Sequence, residues 1–116
     1  MAIPSGSGTE VLKRASVHGN SGAWANIITG VANHIYTVIS LICCEQVGNA
    51  ETLHWRIDKD AAGSNQIQLM GGVSIAGEGT FVWNDRFVMT GTDILQVYNS
   101  TGNCDWWVSY IDQDWS

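Results

Sequence analysis

The feature that most constrains the fold is a run of ten mostly apolar residues, 35–44, rich in β-branched side chains. Such residues favour strands, and successive side chains of a strand point to opposite faces of the sheet. Strict alternation places Ile39 and Leu41 on one face and Val38 and Ile42 on the other. Because both faces are apolar, both must be covered. In a single sandwich the second cover would be a loop, the N-terminal arm or another subunit.

Further short segments of alternating character are separated by turn residues. The clearest is 53–58, in which Leu53, Trp55 and Ile57 alternate with polar residues. No window of a dozen residues has the spacing of an amphipathic helix. We therefore predict an all-β protein of about eight or nine strands, an antiparallel β-sandwich that is jelly-roll-like, or a small barrel. The predicted strands are residues 10–17, 23–28, 35–44, 53–58, 66–70, 79–83, 86–89, 94–99 and 105–111.

The chain shows neither an internal repeat nor a change of composition, so we expect residues 1–116 to form a single β-sandwich domain. Residues 1–9 are predicted to be a flexible N-terminal arm, because Ser and Gly dominate them. The pair Gly71 and Gly72 is expected to end a strand, and Asn84-Asp85 has the spacing of a tight hairpin.

Charge excludes two classes of partner. Five basic and eleven acidic residues give a formal net charge of −6. Without a Lys/Arg patch the chain is not expected to bind nucleic acid or an anionic membrane. Charged residues are only 14% of the chain, against about 25% in a typical domain. So low a content is typical of a surface that partner chains partly cover.

The cysteines indicate a reducing compartment. Cys43, Cys44 and Cys104 are odd in number and lack metal-ligand spacing, and the first residues lack the features of a secretory signal. Adjacent strand cysteines point to opposite faces and cannot easily bridge each other. We expect three free thiols and synthesis in a cytoplasm.

No catalytic pattern is found. The three histidines lie in separate segments, and no candidate nucleophile has a base near it in sequence. The carboxylate pairs Asp58/Asp60 and Asp112/Asp114 are interpreted as solvated charges, since one lies in a turn and the other near the C-terminus. We expect no enzyme activity, no metal site and no cofactor.

The six tryptophans carry most of the information about partners. Trp55 belongs to a core face, and we expect Trp83 or Trp106 to join it. Trp106 and Trp107 are adjacent, so on a strand one faces the core and the other faces outward.

The remaining tryptophans exceed what one small core needs, and exposed Trp usually marks binding. Ile3 and Pro4 are the apolar residues of the arm and could anchor it on a neighbouring subunit. The candidate partner-contact residues are therefore Ile3, Pro4, Trp24, Trp107 and Trp115.

The order of several segments resembles the small virion structural proteins of tailed bacteriophages, which are β-sandwich decoration, cement and tail-associated proteins. The resemblance covers residues 33–112, and the opening AIPSGSGTEVL (2–12) is similar to the start of many such proteins. Members usually have Asn at the position of Cys44 or Glu45, and are less rich in tryptophan. The segments that carry the resemblance are IYTVISLICC (35–44), QIQLM (66–70), TFVW (80–83) through FVM (87–89), TDILQV (92–97) and DWWVSYID (105–112).

The resemblance implies a homo-oligomer, commonly a trimer for cement proteins, without catalysis or cofactor, made in the host bacterial cytoplasm and located in the virion. The leading hypothesis is a capsid decoration (cement) protein that binds the major capsid protein and stabilises the outer shell. One alternative is a tail-associated protein (tube, adaptor or fibre) that binds other tail proteins. A further alternative of another class is a carbohydrate-binding module, because exposed Trp beside Asn and Asp is typical of lectin sites.

Overall fold

A computed structural model describes residues 9–19, 22–101 and 103–116. The predicted arm, with Ile3 and Pro4, lies outside the described residues apart from Thr9, which is the first residue of β1. A single 3-10 turn, Lys59–Ala61, follows β4. The nine strands are β1 Thr9–Gly19, β2 Trp24–Thr29, β3 His34–Glu45, β4 Glu51–Asp58, β5 Gln66–Ile75, β6 Thr80–Trp83, β7 Phe87–Thr90, β8 Ile94–Asn99 and β9 Cys104–Asp114.

The strands form two antiparallel sheets. The five-stranded sheet has the order β1-β9-β3-β6, with β7 also paired to β3, and the four-stranded sheet has the order β2-β8-β4-β5. This is the jelly-roll order, with β6 and β7 sharing one position. The prediction of an all-β, jelly-roll-like sandwich is confirmed. None of the described residues belongs to a helix that is long and apolar enough to cross a membrane.

The core lies between the sheets and is organised around Trp55, whose ring has no exposed surface. The Trp83 ring meets it edge-on with centroids 5.3 Å apart, and the Trp106 ring with centroids 5.9 Å apart. Such edge-to-face pairs are favourable beyond the area they bury. Both Trp83 and Trp106 thus belong to the core, while Trp107 points outward.

Strand β3 is apolar on both faces, as predicted, but a β-bulge changes which residues face the core. Its pairing with β9 shifts register at Ile39. Val38 faces the core before the bulge, and Leu41 and Cys43 face it afterwards, whereas Ile42 points outward. The strict alternation predicted for this strand is therefore wrong beyond Ile39, because a bulge adds one residue to one strand.

Two turn predictions are also wrong. Strand β5 does not end at Gly71 and Gly72, because two register shifts against β4 let it continue to Ile75. Nor do Asn84 and Asp85 make a tight hairpin. Strands β6 and β7 pair in succession with the same edge of β3 rather than with each other.

Candidate interaction surfaces

The outer face of the five-stranded sheet carries a group of apolar side chains directed away from the core. One cross-strand row contains Trp107, Ile42 and Val82. A second row runs across four strands, from Leu12 of β1 through Ile111 of β9 and Thr37 of β3 to Val88 of β7. The exposed fractions are 72% for Leu12, 56% for Val88, 48% for Val82 and 38% for Trp107. We call these six residues the apolar face: Leu12, Ile42, Val82, Val88, Trp107 and Ile111.

A shallow groove of about 350 Å³ adjoins Trp107 on this face, and its lining includes Ile42, Cys44 and Asp105. The guanidinium of Arg14 lies 5.0 Å from the centre of the Trp107 ring. On the other side of Trp107 along β9, His18 Nδ1 lies 2.5 Å from Asp105 Oδ1. The predicted contact residue Trp107 thus lies at the end of an apolar row, with charged groups on both sides of it along β1 and β9.

The structure does not bring the other predicted contact residues to this face. Trp24 lies on the outer face of the four-stranded sheet, beside Tyr98. Trp115 follows β9, and its backbone N–H donates to the Asn33 carbonyl at 2.9 Å. Its half-buried ring lies at the end of the molecule, so the three tryptophans mark three different places.

Ionic groups link β1, β3 and β9 near that end. Lys13 Nζ donates to Asp112 Oδ2 at 2.8 Å, and His34 Nδ1 lies 2.7 Å from Asp112 Oδ1. His34 Nε2 lies 3.4 Å from Asp114 Oδ1. Burial alone would raise the pKa of Asp112, but the hydrogen bonds from Lys13 and His34 outweigh burial and lower it. The interpretation of Asp112 as a solvated charge is wrong, because only 5% of the residue is exposed.

The second predicted carboxylate pair is also only partly solvated. Asp58 is buried at the end of β4, and its carboxylate accepts the Gly63 N–H at 3.0 Å, which closes the turn. Asp60 remains exposed. These contacts assign Asp58 a structural role in the turn.

Two buried carboxylates that the sequence interpretation missed hold loops in place. Glu45 accepts the N–H groups of Gly48 at 2.8 Å and Glu78 at 2.6 Å. The hydrogen bond from Glu78, with those from other loop amides, lowers the pKa of Glu45. Glu51 accepts the N–H of Thr101 at 2.7 Å. No sequence signal marks either residue, since Glu78 and Thr101 are distant along the chain.

The three cysteines are free, and two of them are buried. Cys104 Sγ lies 3.4 Å from Glu51 Oε1. Burial, together with Glu51, raises the pKa of Cys104 to about 12, and burial also raises the pKa of Cys43. Since the thiolate is the reactive form, both thiols are inert at neutral pH.

Histidines that are distant in sequence are also distant in the structure. His18 lies on the outer face of the five-stranded sheet, His34 contacts the carboxylates near the C-terminus, and His54 lies beside Tyr98. Within residues 9–19, 22–101 and 103–116, no group of three or more His, Cys, Asp or Glu side chains could hold a metal ion.

Comparisons with known proteins find similarity of fold. No protein-family model and no curated protein sequence matches this chain. Among solved structures, the fold is similar to that of the Bacillus endospore appendages, described as disulfide-linked pili. The TM-score is 0.58 at 13% identity, over 100% of this chain and 97% of that chain.

The fold is also similar to part of the particle protein of infectious bursal disease virus. One match, to the T13 viral particle, has a TM-score of 0.55 at 9% identity over 90% of this chain and 31% of that chain. Another, to the Gx strain, has a TM-score of 0.53 at 10% identity over 94% of this chain and 33% of that chain. This chain therefore spans about a third of the viral chains, and the likeness is one of fold.

Proposed function

We propose that this chain is a structural subunit of a virion, most specifically a capsid decoration protein that attaches to the outer shell through its apolar face. The observation that carries the proposal is the position of Leu12, Val82, Val88 and Trp107 together on one side of one sheet. Scattered surface apolar residues need no explanation, but two apolar cross-strand rows on one sheet face favour an interface. A polar row of Arg14, Ser109 and Ser40 lies between them. The proposed role is non-catalytic and needs no cofactor.

The dimensions of this sheet face suit a stable contact. A face about four strands wide and about eleven residues long measures on the order of 700 Å². A standard interface buries about 800 Å² on each partner. Removal of apolar area from water contributes about 25 cal/mol per Å² before the costs of association. Many symmetric copies on one particle then add avidity.

The comparisons support an assembly role in general terms, because one similar protein forms pili and the others build a viral particle. The similarity to the pilus protein over 97% of its length favours a second candidate, a filament subunit. A tail-associated position remains a further alternative. A homo-oligomer, with a trimer favoured, is part of the proposal.

Electron microscopy of particles purified from infected cells tests the proposal, with the chain located by a gold-labelled antibody. We expect label on the outside of the head. Label on the tail would support the tail alternative, and filaments of the purified protein would support the pilus-type alternative. Particles without label would contradict a virion role.

Substitutions then test the apolar face. Trp107→Glu or Val82→Glu should reduce binding to undecorated particles at least tenfold, because a charge would have to be buried in the contact. Ile67→Glu is the matched control, since Ile67 is 47% exposed on the other sheet. If Ile67→Glu reduces binding as much as Trp107→Glu does, attachment does not use the apolar face.

A further inference from the structure

The outer face of the four-stranded sheet carries a row of rings that the proposed attachment does not use. Trp24 of β2, Tyr98 of β8 and His54 of β4 lie side by side in one cross-strand row. The ring centroid of Tyr98 lies 5.2 Å from that of Trp24 and 5.2 Å from that of His54. All three residues are partly exposed. Because they point away from the core, which has its own rings, these side chains do not fill the sandwich.

The neighbouring row on the same face contains Asn26, Gln96 and Arg56 and continues to Gln68 of β5. Arg56 Nε donates to Gln96 Oε1 at 2.7 Å, and Gln96 Nε2 donates to Asn26 Oδ1 at 2.9 Å. The guanidinium carbon of Arg56 lies 3.8 Å from the centre of the Trp24 ring. Stacking and hydrogen bonding thus hold three planar polar groups in fixed positions beside the rings.

This arrangement leaves donors available for a ligand. The two Nη groups of Arg56, the amide nitrogen of Asn26 and the hydroxyl of Tyr98 have no partner among the described residues. On the neighbouring strand β5, Gly71 pairs with His54. A Cβ atom added to Gly71 would have no atom within 4 Å apart from those of Gly71 itself and its chain neighbours. The surface next to the rings is therefore open.

Charge narrows the chemistry of the ligand. The chain has a net charge of −6 and only five basic residues, yet one of them, Arg56, lies at the centre of this face. Neither row contains a carboxylate. Asp58, two residues further along β4, is buried and its carboxylate accepts the Gly63 N–H. More distant acidic groups are largely screened beyond about 8 Å at physiological ionic strength. A guanidinium with two free Nη groups is suited to bind a carboxylate through two hydrogen bonds.

We propose that this face binds an acidic oligosaccharide, one that contains uronic acid or a similar carboxylated sugar. The C–H faces of sugar rings pack against the exposed parts of Trp24 and Tyr98, the hydroxyls bond to Asn26 and Gln96, and the carboxylate binds the Nη groups of Arg56. A nucleic acid would also stack on rings, but its phosphates need several basic residues, and the two rows contain a single one. The inference does not depend on attachment to a capsid.

Calorimetric titration tests the proposal with tetragalacturonate as the probe and the uncharged galactotetraose as the matched neutral sugar. We expect the full chain to bind tetragalacturonate at least tenfold more tightly than the neutral sugar, and more weakly as NaCl is raised. Arg56→Gln should lower the affinity for tetragalacturonate at least tenfold and remove the preference. Trp24→Ala should lower the affinity for both sugars.

Arg14→Gln is the matched control, because Arg14 also lies over a tryptophan, Trp107, but on the opposite sheet. It should change the affinity less than twofold. Circular dichroism and melting temperature confirm that each variant is folded. Absence of binding at millimolar sugar, equal binding of the two sugars, or equal effects of Arg56→Gln and Arg14→Gln would each overturn the proposal.

Discussion

Glu51 is buried at the start of β4, and its carboxylate holds the loop that joins β8 to β9. It accepts the Thr101 N–H at 2.7 Å and the Ser100 hydroxyl at 3.0 Å. Both donors bond to Glu51 Oε2, whereas the Cys104 thiol bonds to Oε1. In Glu51→Gln the amide oxygen can replace only one of these two acceptors, so the NH₂ group would face a buried donor in either orientation. A buried donor without an acceptor costs about 1–3 kcal/mol, so we expect the free energy of unfolding to fall by about that amount in urea titrations.

Glu10→Gln is the control for this change, because Glu10 is exposed and lies on the edge strand β1. It should change the free energy of unfolding by less than about 0.5 kcal/mol. Equal losses in the two variants would mean that the buried hydrogen bonds of Glu51 do not stabilise the fold.

The lowered pKa of Asp112 predicts how the free energy of unfolding depends on pH. Its pKa in the folded protein is lowered, since the hydrogen bonds from Lys13 and His34 outweigh burial. The stabilisation is therefore present above the pKa of the unfolded chain, about 3.9, and is lost as the pH falls through the lower folded value. We expect Asp112→Asn to cost about 1–3 kcal/mol at pH 7 and less as the pH falls below about 3.9.

Urea unfolding at pH 7, 4 and 3 measures this difference. Asp85→Asn, a change in the exposed 84–86 loop, should leave the pH dependence unchanged. A cost of Asp112→Asn that is the same at all three values would contradict the assignment.

Single residues differ in how far the sequence could predict them. The opposite directions of Trp106 and Trp107 follow from their adjacency on a strand, and that prediction is confirmed. The burial of Glu45 and Glu51 could not be predicted, because each also binds an N–H group from a distant loop, 33 residues away for Glu45 and 50 for Glu51. Only the folded chain brings those groups together.

At the scale of elements, the bulge in β3 determines which of two neighbouring residues supports the core. Leu41 is 1% exposed, whereas Ile42 lies on the apolar face. Leu41→Ala should reduce the free energy of unfolding by about 2–5 kcal/mol, and Ile42→Ala by clearly less, because it leaves no internal cavity. Urea unfolding of the two variants measures this. Similar costs would place the bulge elsewhere in the strand.

Strand boundaries were predictable where apolar and turn residues alternate, as at β4 and β8. They were not predictable at Gly71 and Gly72, where the sequence indicates a break. Gly72 has a φ of 120°, a conformation that other residues rarely adopt. One register shift against β4 falls at Gly72 and the other at Leu69, and the pairing with β4 continues on both sides.

At the scale of the whole molecule, the jelly-roll architecture was predictable from the number and spacing of strands, because few architectures accommodate so many short strands. The separation of Trp24 from Trp107 was not, since the assignment of strands to sheets depends on long-range pairing. The resulting sandwich has an apolar outer face on one sheet and a ring-bearing polar face on the other.

We expect the segment before β1 to contribute to attachment to particles but not to the stability of the fold. Thr9 opens β1, and residues 1–8 lie outside the described part of the chain. From their composition we expect too little apolar surface to offset the entropy lost on ordering. Deletion of residues 2–7 should leave the melting temperature almost unchanged and weaken attachment to particles, with Ile3 and Pro4 as the anchors. Unfolding of the isolated domain on deletion would show that this segment is an integral strand. If the deleted variant still fills the sites on the particle in competition with the intact protein, the segment is a passive tail.

The two edges of the five-stranded sheet differ in a way that limits how copies can add to one another. On one edge β1 offers eleven continuous residues, whereas β6 and β7 on the other are four residues each and are separated by the 84–86 loop. A fibre that grows by edge-to-edge pairing of sheets needs a long, continuous strand at both edges of the sheet in every copy. Among the described strands this sheet has one. Growth by strand addition on this sheet would end once two β1 edges had met, which limits aggregation through this sheet.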